Sequence, residues 1–233
     1  MTYIKKIKLN QKEIQININS DADESVFNEV FLLKDYKIVD HAIKSAGNII
    51  DIGGHVGMFS IYAKIVNPNA RIVAFEPNAE NFKELKANLK KNHINDVKCK
   101  NVAVSGKIGA AILNVSEDSH NHSIVFEKDS KSTSSVNTTT LEKIATPILN
   151  HNPHIDLVKM DCEGSEFDIF ENTPVDILKK IKTFYIEYHL YKSCFNLDNI
   201  ISKLKMAGFS VKKTVSPYDK RMGFVFAERG GKI

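Results

Sequence analysis

The sequence has few cysteines, and none of them stands in a pattern typical of a metal site or a disulfide framework. Its 233 residues include three cysteines, Cys99, Cys162 and Cys194, an odd number without a CxxC pair. A zinc site or a disulfide scaffold is built from cysteines paired at short or regular spacings. We therefore expect free thiols and a cytoplasmic location, where thiols stay reduced.

Long apolar segments are also missing. Residues 1–19 alternate apolar and polar side chains and so lack the apolar core of a signal peptide. No run approaches the roughly 18 apolar residues that a membrane-spanning helix needs. With 42% hydrophobic and 26% charged residues, the composition predicts a soluble globular protein that buries a full core.

The charge carries no large excess of one sign. The formal net charge is +4, and the lysines are scattered along the chain. This balance does not indicate a nucleic-acid partner, which is typically met by basic residues massed on one face. No feature of the sequence specifies an oligomeric state.

The pattern of apolar residues divides the chain into two parts. Residues 3–18 alternate with period two around a polar break, which predicts a β-hairpin, and residues 20–47 follow with two helical patterns. From residue 48 onward, short apolar runs alternate with helical patterns, which predicts a mainly parallel sheet covered by helices on both faces. We therefore predict an α/β domain over residues 48–233 with an N-terminal extension, residues 1–47.

Two later segments depart from this alternation. The runs at residues 210–215 and 222–228 are separated by a short turn, so they should pair as an antiparallel hairpin at the sheet edge. The segment between Ser105 and Thr140 is rich in Ser, Thr, Asn and His, and we expect it to hold a short strand pair and a loop. Loops of this kind often cover a site.

The most informative stretch is the turn after the first parallel strand, NIIDIGGHVG at residues 48–57. Ligands of open parallel sheets bind where strands end, and glycines there let ligand atoms approach the backbone. The second strand ends at Glu76, whose carboxylate is suited to accept hydrogen bonds from both hydroxyls of a ribose. The glycine turn and Glu76 together predict a nucleoside pocket.

The residues of the turn also discriminate between nucleoside cofactors. The dinucleotide fingerprint is GxGxxG, but His55 replaces its second glycine and Asp51 precedes the turn. A carboxylate beside a pyrophosphate would be repulsive, whereas beside the ammonium and sulfonium of S-adenosylmethionine it is favourable. The turn therefore favours S-adenosylmethionine over NAD.

Four segments resemble the FkbM family of S-adenosylmethionine-dependent methyltransferases. They are DIGGHVGMFS, AFEPNAENFKELKANLKKN, NVAVS and, most specifically, KMDCEGSEFDIF, and the resemblance runs from about Asn48 to His189. It implies the class I methyltransferase fold, a Rossmann-like seven-stranded sheet whose last strand is antiparallel. That expectation agrees with the predicted terminal hairpin.

The resemblance also implies a set of cofactor-binding positions. These are Asp51, Gly53, Gly54, His55, Gly57, Glu76, Pro77, Asn78, Val102, Ala103 and Asp161. Family members commonly have Ala-Asn where this chain has Gly54-His55, so the resemblance assigns no role to the His55 ring.

Candidate catalytic residues follow the fourth and fifth parallel strands. They are Asp161, Glu163, Glu187 and His189. A carboxylate or His189 can act as general base toward a hydroxyl. The same four residues can instead bind a divalent metal, but no ligand spacing requires one, and we predict no metal. We expect Glu166 to cap or open the next helix.

The predicted reaction is O-methylation of a small-molecule or glycan acceptor, with the hydroxyl on a sugar, glycan, lipid-linked or secondary-metabolite compound. The O-methyl assignment comes from the resemblance. Nucleobase amino-methyltransferases usually carry a DPPY-like or NPPY-like motif where this chain has DCEG at residues 161–164. Two alternatives stay open at this point, an NAD-dependent oxidoreductase and a non-catalytic S-adenosylmethionine-binding module.

Overall fold

A computed structural model of the protein describes residues 2–116, 123, 130–217 and 219–230. The strands are β1 (Tyr3–Leu9), β2 (Lys12–Ile18), β3 (Asn48–Ile52), β4 (Arg71–Phe75), β5 (Lys98–Lys100), β6 (Ala103–Val104), β7 (Gly109–Ser116), β8 (Ser130–Thr139), β9 (Ile155–Met160), β10 (Ile181–His189), β11 (Phe209–Val215) and β12 (Met222–Arg229). The helices are α1 (Asp21–Phe27), α2 (Asp40–Ser45), α3 (Met58–Val66), α4 (Ala79–Lys91), α5 (Leu141–Leu149), α6 (Ser165–Asn172), α7 (Val175–Leu178) and α8 (Leu197–Met206). A π-helical turn, Asn28–Leu33, and a 3₁₀ turn, Asp35–Val39, connect α1 to α2.

A seven-stranded sheet forms the centre of the domain, in the order β11-β12-β10-β9-β3-β4-β5. Neighbouring strands from β10 to β5 run parallel, whereas β12 pairs antiparallel with both β10 and β11. The predicted class I methyltransferase sheet, with an antiparallel last strand, is thus confirmed. The terminal hairpin lies at the edge, with β11 outermost.

The central strands are buried on both faces, as their β-branched sequences predict. All five residues of β3 and all six of β9 are buried. Adjacent residues face opposite sides of a sheet: Ile49 belongs to one hydrophobic cluster and Ile50 to the other. The sheet therefore separates two cores, each covered by helices.

The N-terminal extension packs on one of these cores. Strands β1 and β2 pair antiparallel, as predicted, and Ile14, Ile16 and Ile18 are buried in the cluster that also holds residues of α3 and α4. The side chains of Asn88 on α4 and of Asn92, which caps the end of α4, accept hydrogen bonds from backbone N–H groups of β2. The boundary at residue 47 stays a prediction.

The third parallel strand is shorter than the sequence pattern indicates. Residues 97–104 read as one strand, but β5 stays in the main sheet while β6 joins a separate sheet of order β6-β8-β7. The Asn101 side chain separates them, because its Nδ2 donates hydrogen bonds to the backbone carbonyls of Glu76 and Pro77. The strand pair predicted between Ser105 and Thr140 is β7 and β8.

Within the described ranges, no helix is both long and apolar enough to cross a bilayer.

Candidate active site

A cleft opens at the carboxyl ends of β3, β4 and β9. It lies at the point where the strand order reverses, between β3 and β9, which is where open parallel sheets bind ligands. Seven predicted cofactor positions line it: Gly53, Gly54, His55, Glu76, Pro77, Ala103 and Asp161.

Two glycines of the turn, Gly53 and Gly57, are favoured by the backbone and packing of the protein itself. Gly53 has φ +75, and a Cβ there would lie 1.6 Å from the backbone oxygen of Asp161. At Gly54 a Cβ would lie 2.9 Å from Leu85 Cδ1 of α4. Gly57 has φ +92 and also contacts Leu85. The bare turn therefore lets β9 and α4 approach β3, whatever it contributes to ligand binding.

Asp51 is fully buried at the end of β3 and does not line the cleft. Its Oδ2 accepts a hydrogen bond of 2.7 Å from Ser60 Oγ, and Lys159 Nζ lies 3.5 Å from its Oδ1. Burial raises the pKa of Asp51, and the Lys159 ammonium and the Ser60 hydroxyl oppose that rise. Asp51 thus anchors the strand end and the start of α3.

Lys159 is a site residue that the sequence analysis missed. Its Nζ donates a 2.7 Å hydrogen bond to the backbone oxygen of Gly53 and lies 3.7 Å from Asp161 Oδ2. Burial by itself would lower the pKa of Lys159, but the carboxylates of Asp51 and Asp161 raise it. The β3–β9 register pairs Asp51 with Lys159. In the sequence, the one feature that could have indicated this residue is a lysine inside the otherwise apolar end of the run IDLVKM.

Glu76 is buried directly after β4, with both carboxylate oxygens oriented by the backbone. Oε2 accepts a 2.8 Å hydrogen bond from the N–H of His55, and Oε1 accepts one of 2.9 Å from the N–H of Asn78. Burial raises the pKa of Glu76 to about 7, against these two hydrogen bonds. The carboxylate lines the cleft in a fixed orientation, with lone pairs left for a ligand.

His55 connects the glycine turn to the N-terminal extension. Its backbone adopts φ 47, a left-handed conformation in which Asn, Asp and His are enriched. Its Nε2 lies 3.5 Å from Oδ1 of Asp23, a buried residue of α1. The structure thus places the His55 ring between the turn and α1.

Besides Asp51 and Gly57, two further predicted cofactor positions do not line the cleft. The Asn78 side chain caps α4, because its Oδ1 accepts hydrogen bonds from the N–H groups of Glu80 and Asn81. Val102 lines a second cavity between β4, β5 and α5, whereas its neighbours Ala103 and Val104 line the cleft. An adenosine contact is therefore available from residues 103 and 104.

The N-terminal extension supplies one wall of the cleft. Val26, Val30 and Tyr36 line it. Val26 and Val30 are four residues apart, which is the spacing of one helix face. The Tyr36 ring packs against Phe59 of α3 and Tyr185 of β10, with centroid distances of 4.8 and 5.3 Å. The spacing of Val26 and Val30 in the sequence indicates an apolar helix face, but it does not indicate what that face covers.

Three of the four candidate catalytic residues, Asp161, Glu163 and His189, converge, and the fourth, Glu187, interacts with them through its charge. The four are called the acidic cluster below. Asp161 and Glu163 line the cleft, whereas Glu187 and His189 do not. Burial raises the pKa of Glu163 to about 8. Burial and the carboxylate of Asp161 raise the pKa of Glu187 well above its ordinary value. Such perturbed carboxylates in a cleft are typical of functional sites.

His189 is held between two carboxylates. Its Nδ1 lies 3.2 Å from Glu166 Oε1 and its Nε2 lies 3.5 Å from Glu163 Oε1. Burial by itself would lower the pKa of His189, but Glu163 and Glu166 raise it well above its ordinary value. Glu166 Oε1 also accepts a hydrogen bond from the N–H of Cys162, so Glu166 organises the turn before α6 and orients His189.

The residues around the cleft fit S-adenosylmethionine. An oriented carboxylate at Glu76 suits a ribose, and apolar walls at Ala103, Val104 and Leu113 suit an adenine. Carboxylate and carbonyl groups near Gly53 and Asp161 suit a cationic methionine end.

Comparisons with known proteins agree with this geometry. The family model described as "Methyltransferase FkbM domain" matches residues 51–211. "Methyltransferase 1" of Beauveria bassiana (strain ARSEF 2860) is 22% identical over 253 residues, an alignment that covers 98% of this chain and 100% of that protein.

Two solved structures share the fold. The methyltransferase FkbM from Methylobacillus flagellatus KT superposes with a TM-score of 0.54 at 14% identity, covering 78% of this chain and 43% of that one. The fibrillarin pre-rRNA processing protein of Methanococcus jannaschii superposes with a TM-score of 0.53 at 13% identity, covering 98% and 84%. At these identities the similarity shows the fold alone.

Proposed function

Because the chain belongs to the FkbM methyltransferase family, as the match over residues 51–211 shows, we propose that it methylates a hydroxyl group of its acceptor. Methyltransferase activity and S-adenosylmethionine as the cofactor follow from the family. The hydroxyl acceptor and the residue roles below are the proposal.

The cofactor would be held at three places in the cleft. Glu76, oriented by two backbone N–H groups, would accept hydrogen bonds from the ribose hydroxyls. Ala103 and Val104 would contact the adenine, since both line the cleft. The turn at Gly53 and the carboxylate of Asp161 would face the methionine end.

S-Adenosylmethionine supplies a methyl group on a sulfonium: the bond from methyl to sulfur breaks with its electron pair kept by sulfur, and a bond from methyl to the acceptor oxygen forms. The chain's own part is to position the acceptor in line and to remove its proton. The hydroxyl proton passes to a carboxylate of the acidic cluster.

One observation carries this assignment. Asp161 and Glu163 line the same cleft as Glu76, and their carboxylates lie within 4.8 Å of His189. Protein groups that can accept a proton therefore lie in the same cleft as the proposed ribose contact. An acceptor with an ordinary alcohol pKa needs such groups, because its neutral oxygen is a weak nucleophile.

The acceptor class rests on the family and on the charge pattern. We propose a small-molecule or glycan acceptor, with the hydroxyl on a sugar, glycan, lipid-linked or secondary-metabolite compound, acting in the cytoplasm. The three cysteines are free, in keeping with that location. Nucleic acid is not the proposed acceptor, because the net charge is only +4.

Binding is tested first, by calorimetry with S-adenosylhomocysteine and with NADH as the rival ligand. We expect micromolar binding of S-adenosylhomocysteine, at least tenfold weaker in Glu76→Ala, and no binding of NADH. Absence of S-adenosylhomocysteine binding would overturn the proposal.

Turnover is tested next, by release of S-adenosylhomocysteine with a panel of hydroxyl acceptors. The Glu163→Gln variant should lower kcat by about 10²-fold, the scale of general acid–base catalysis. Glu228→Gln is the matched control, because it alters a carboxylate–histidine pair outside the cleft, 2.7 Å from His41. Methylation of amines but of no hydroxyl would contradict the O-methyl assignment, and binding without any transfer would favour a non-catalytic module.

A further inference from the structure

Three side chains of the acidic cluster converge as metal ligands do. Asp161, Glu163 and His189 each offer one ligand atom, and these atoms all lie within 4.8 Å of one another. In an octahedral site with bonds of about 2.1 Å, ligand atoms are about 3 to 4 Å apart. His189 Nε2 and Glu163 Oε1, at 3.5 Å, already meet that spacing, and Asp161 is partly exposed to the cleft.

The His189 ring provides an independent indication. His189 is fully buried, and its Nε2 has no hydrogen-bond partner among the described residues, although it points toward Glu163. Its Nδ1 is held by Glu166 Oε1 at 3.2 Å. Metal-binding histidines almost always have one ring nitrogen fixed by a carboxylate or carbonyl while the other faces the metal. Glu166 therefore has the position of an outer-shell carboxylate.

The local charge also needs a cation. The carboxylates of Asp161 and Glu163 converge beside His189 at the cleft, and burying like charges together is unfavourable. The nearest ammonium, Lys159 Nζ, is 3.7 Å from Asp161 Oδ2, but it is shared with Asp51 at 3.5 Å. Lys159 balances the β3 side of the cluster, whereas Glu163 and Glu166 face the His189 ring. A bound cation would replace that ring as the positive group, because a metal-binding imidazole is neutral.

We propose that Asp161, Glu163 and His189 bind a divalent cation of the Mg²⁺ or Mn²⁺ class at the cleft. Two carboxylates and one imidazole are ligands that Mn²⁺ accepts, and Mg²⁺ is held by carboxylates together with waters. Structural Zn²⁺ sites, by contrast, have all four coordination positions filled by protein ligands, most of them cysteine thiolates.

The role of this cation rests on the function proposed above. It would hold the acceptor hydroxyl oxygen and stabilise the negative charge that develops there as the proton leaves. It adds no bond-making step. The cation would also fix the acceptor relative to Asp161, which lines the cofactor cleft.

Manganese binding to the full chain, after removal of metals with EDTA, tests the proposal. Electron paramagnetic resonance of free Mn²⁺ should show one saturable site per chain, and pulsed measurements should show nitrogen coupling from an imidazole. Glu163→Gln and His189→Gln should each weaken Mn²⁺ at least tenfold, and His189→Gln should also remove the nitrogen coupling. Glu166→Gln should weaken it about tenfold, as for outer-shell partners.

Controls separate this inference from the proposed function. Glu228→Gln, in the exposed pair with His41, should leave Mn²⁺ affinity within twofold. S-Adenosylhomocysteine is titrated on the same samples, and it also shows that each variant is folded. Cofactor binding without a saturable Mn²⁺ site, or Mn²⁺ binding that Glu163→Gln does not change, would overturn the cation site and leave the methyltransferase proposal standing. Mn²⁺ binding without cofactor binding would overturn the methyltransferase proposal and leave the cation site standing.

Discussion

The ammonium group of Lys159 lies 3.5 Å from the carboxylate of Asp51, and both side chains are buried between adjacent strands. The same ammonium donates a hydrogen bond to the backbone oxygen of Gly53. One side chain of β9 therefore neutralises the end of β3 and holds the first residue of the glycine turn. The shape of the cleft therefore depends on the Asp51–Lys159 pair. The β3–β9 register and the burial that bring the two residues together cannot be read from the glycine turn alone.

Removing Lys159 should destabilise the protein strongly. In Lys159→Met, Asp51 would stay buried without a counter-charge, a change that typically costs 3–5 kcal/mol. Urea denaturation measures the free energy of unfolding. Lys179→Met is the control, because the pair of Lys179 with Asp176 is exposed and should contribute less than about 1 kcal/mol. Adding Asp51→Asn should recover part of the loss, and a Lys159→Met effect as small as the control would contradict the role of the pair.

Gly53→Ala should unfold the protein or destabilise it by more than about 4 kcal/mol, since the new Cβ would meet the backbone oxygen of Asp161 at 1.6 Å. Gly230→Ala is the control that separates the cost of this clash from the cost of placing a non-glycine residue at positive φ. Gly230 has φ +78, but among the described residues no atom lies within 4 Å of an added Cβ, so Gly230→Ala should cost only about 1–2 kcal/mol. Equal effects in chemical denaturation would show that conformation, and not the contact with β9, requires Gly53.

Cofactor affinity should depend on the ionisation of Glu76. Burial raises its pKa to about 7, and only the ionised carboxylate accepts two hydrogen bonds without donating one. The ionised fraction rises about tenfold from pH 6 to pH 8, so S-adenosylhomocysteine should bind up to about tenfold more tightly at pH 8. Calorimetry across this range should find a weaker and pH-independent affinity in Glu76→Gln. The same pH dependence in that variant would assign it to another group.

The backbone at residue 55 should tolerate asparagine but not valine. His55 has φ 47, which Asn adopts readily and which strains a β-branched residue by about 2 kcal/mol. His55→Asn should keep S-adenosylhomocysteine affinity within a fewfold, because the N–H donated to Glu76 is retained. His55→Val should lower the melting temperature by about 4–8 °C. A large loss of affinity in His55→Asn would show that the imidazole, near Asp23, is itself needed.

The sheet and most of the cleft could be predicted from the sequence because they depend on local patterns. Apolar runs, helix periodicity and terminal turn residues predicted the parallel sheet and its antiparallel last strand, which the strand order confirms. Glycines and a carboxylate at strand ends marked Gly53 and Glu76, and both line the cleft. Val102 was predicted as a cofactor-binding position, but the break at Asn101 directs it to a different cavity. This break could not be predicted from local pattern, because it depends on hydrogen bonds from the Asn101 side chain to backbone carbonyls after a different strand, β4.

What the sequence by itself determined is the order of strands and helices, the bare turn and the acidic motif, because each depends on residues close in the chain. Tertiary structure alone decided three things: the pairing of Asp51 with Lys159, the contact of His55 with Asp23, and the convergence of Glu163 with His189. Each of these joins residues that are distant in sequence. Strand register and helix packing set those distances, and no spacing along the chain specifies them.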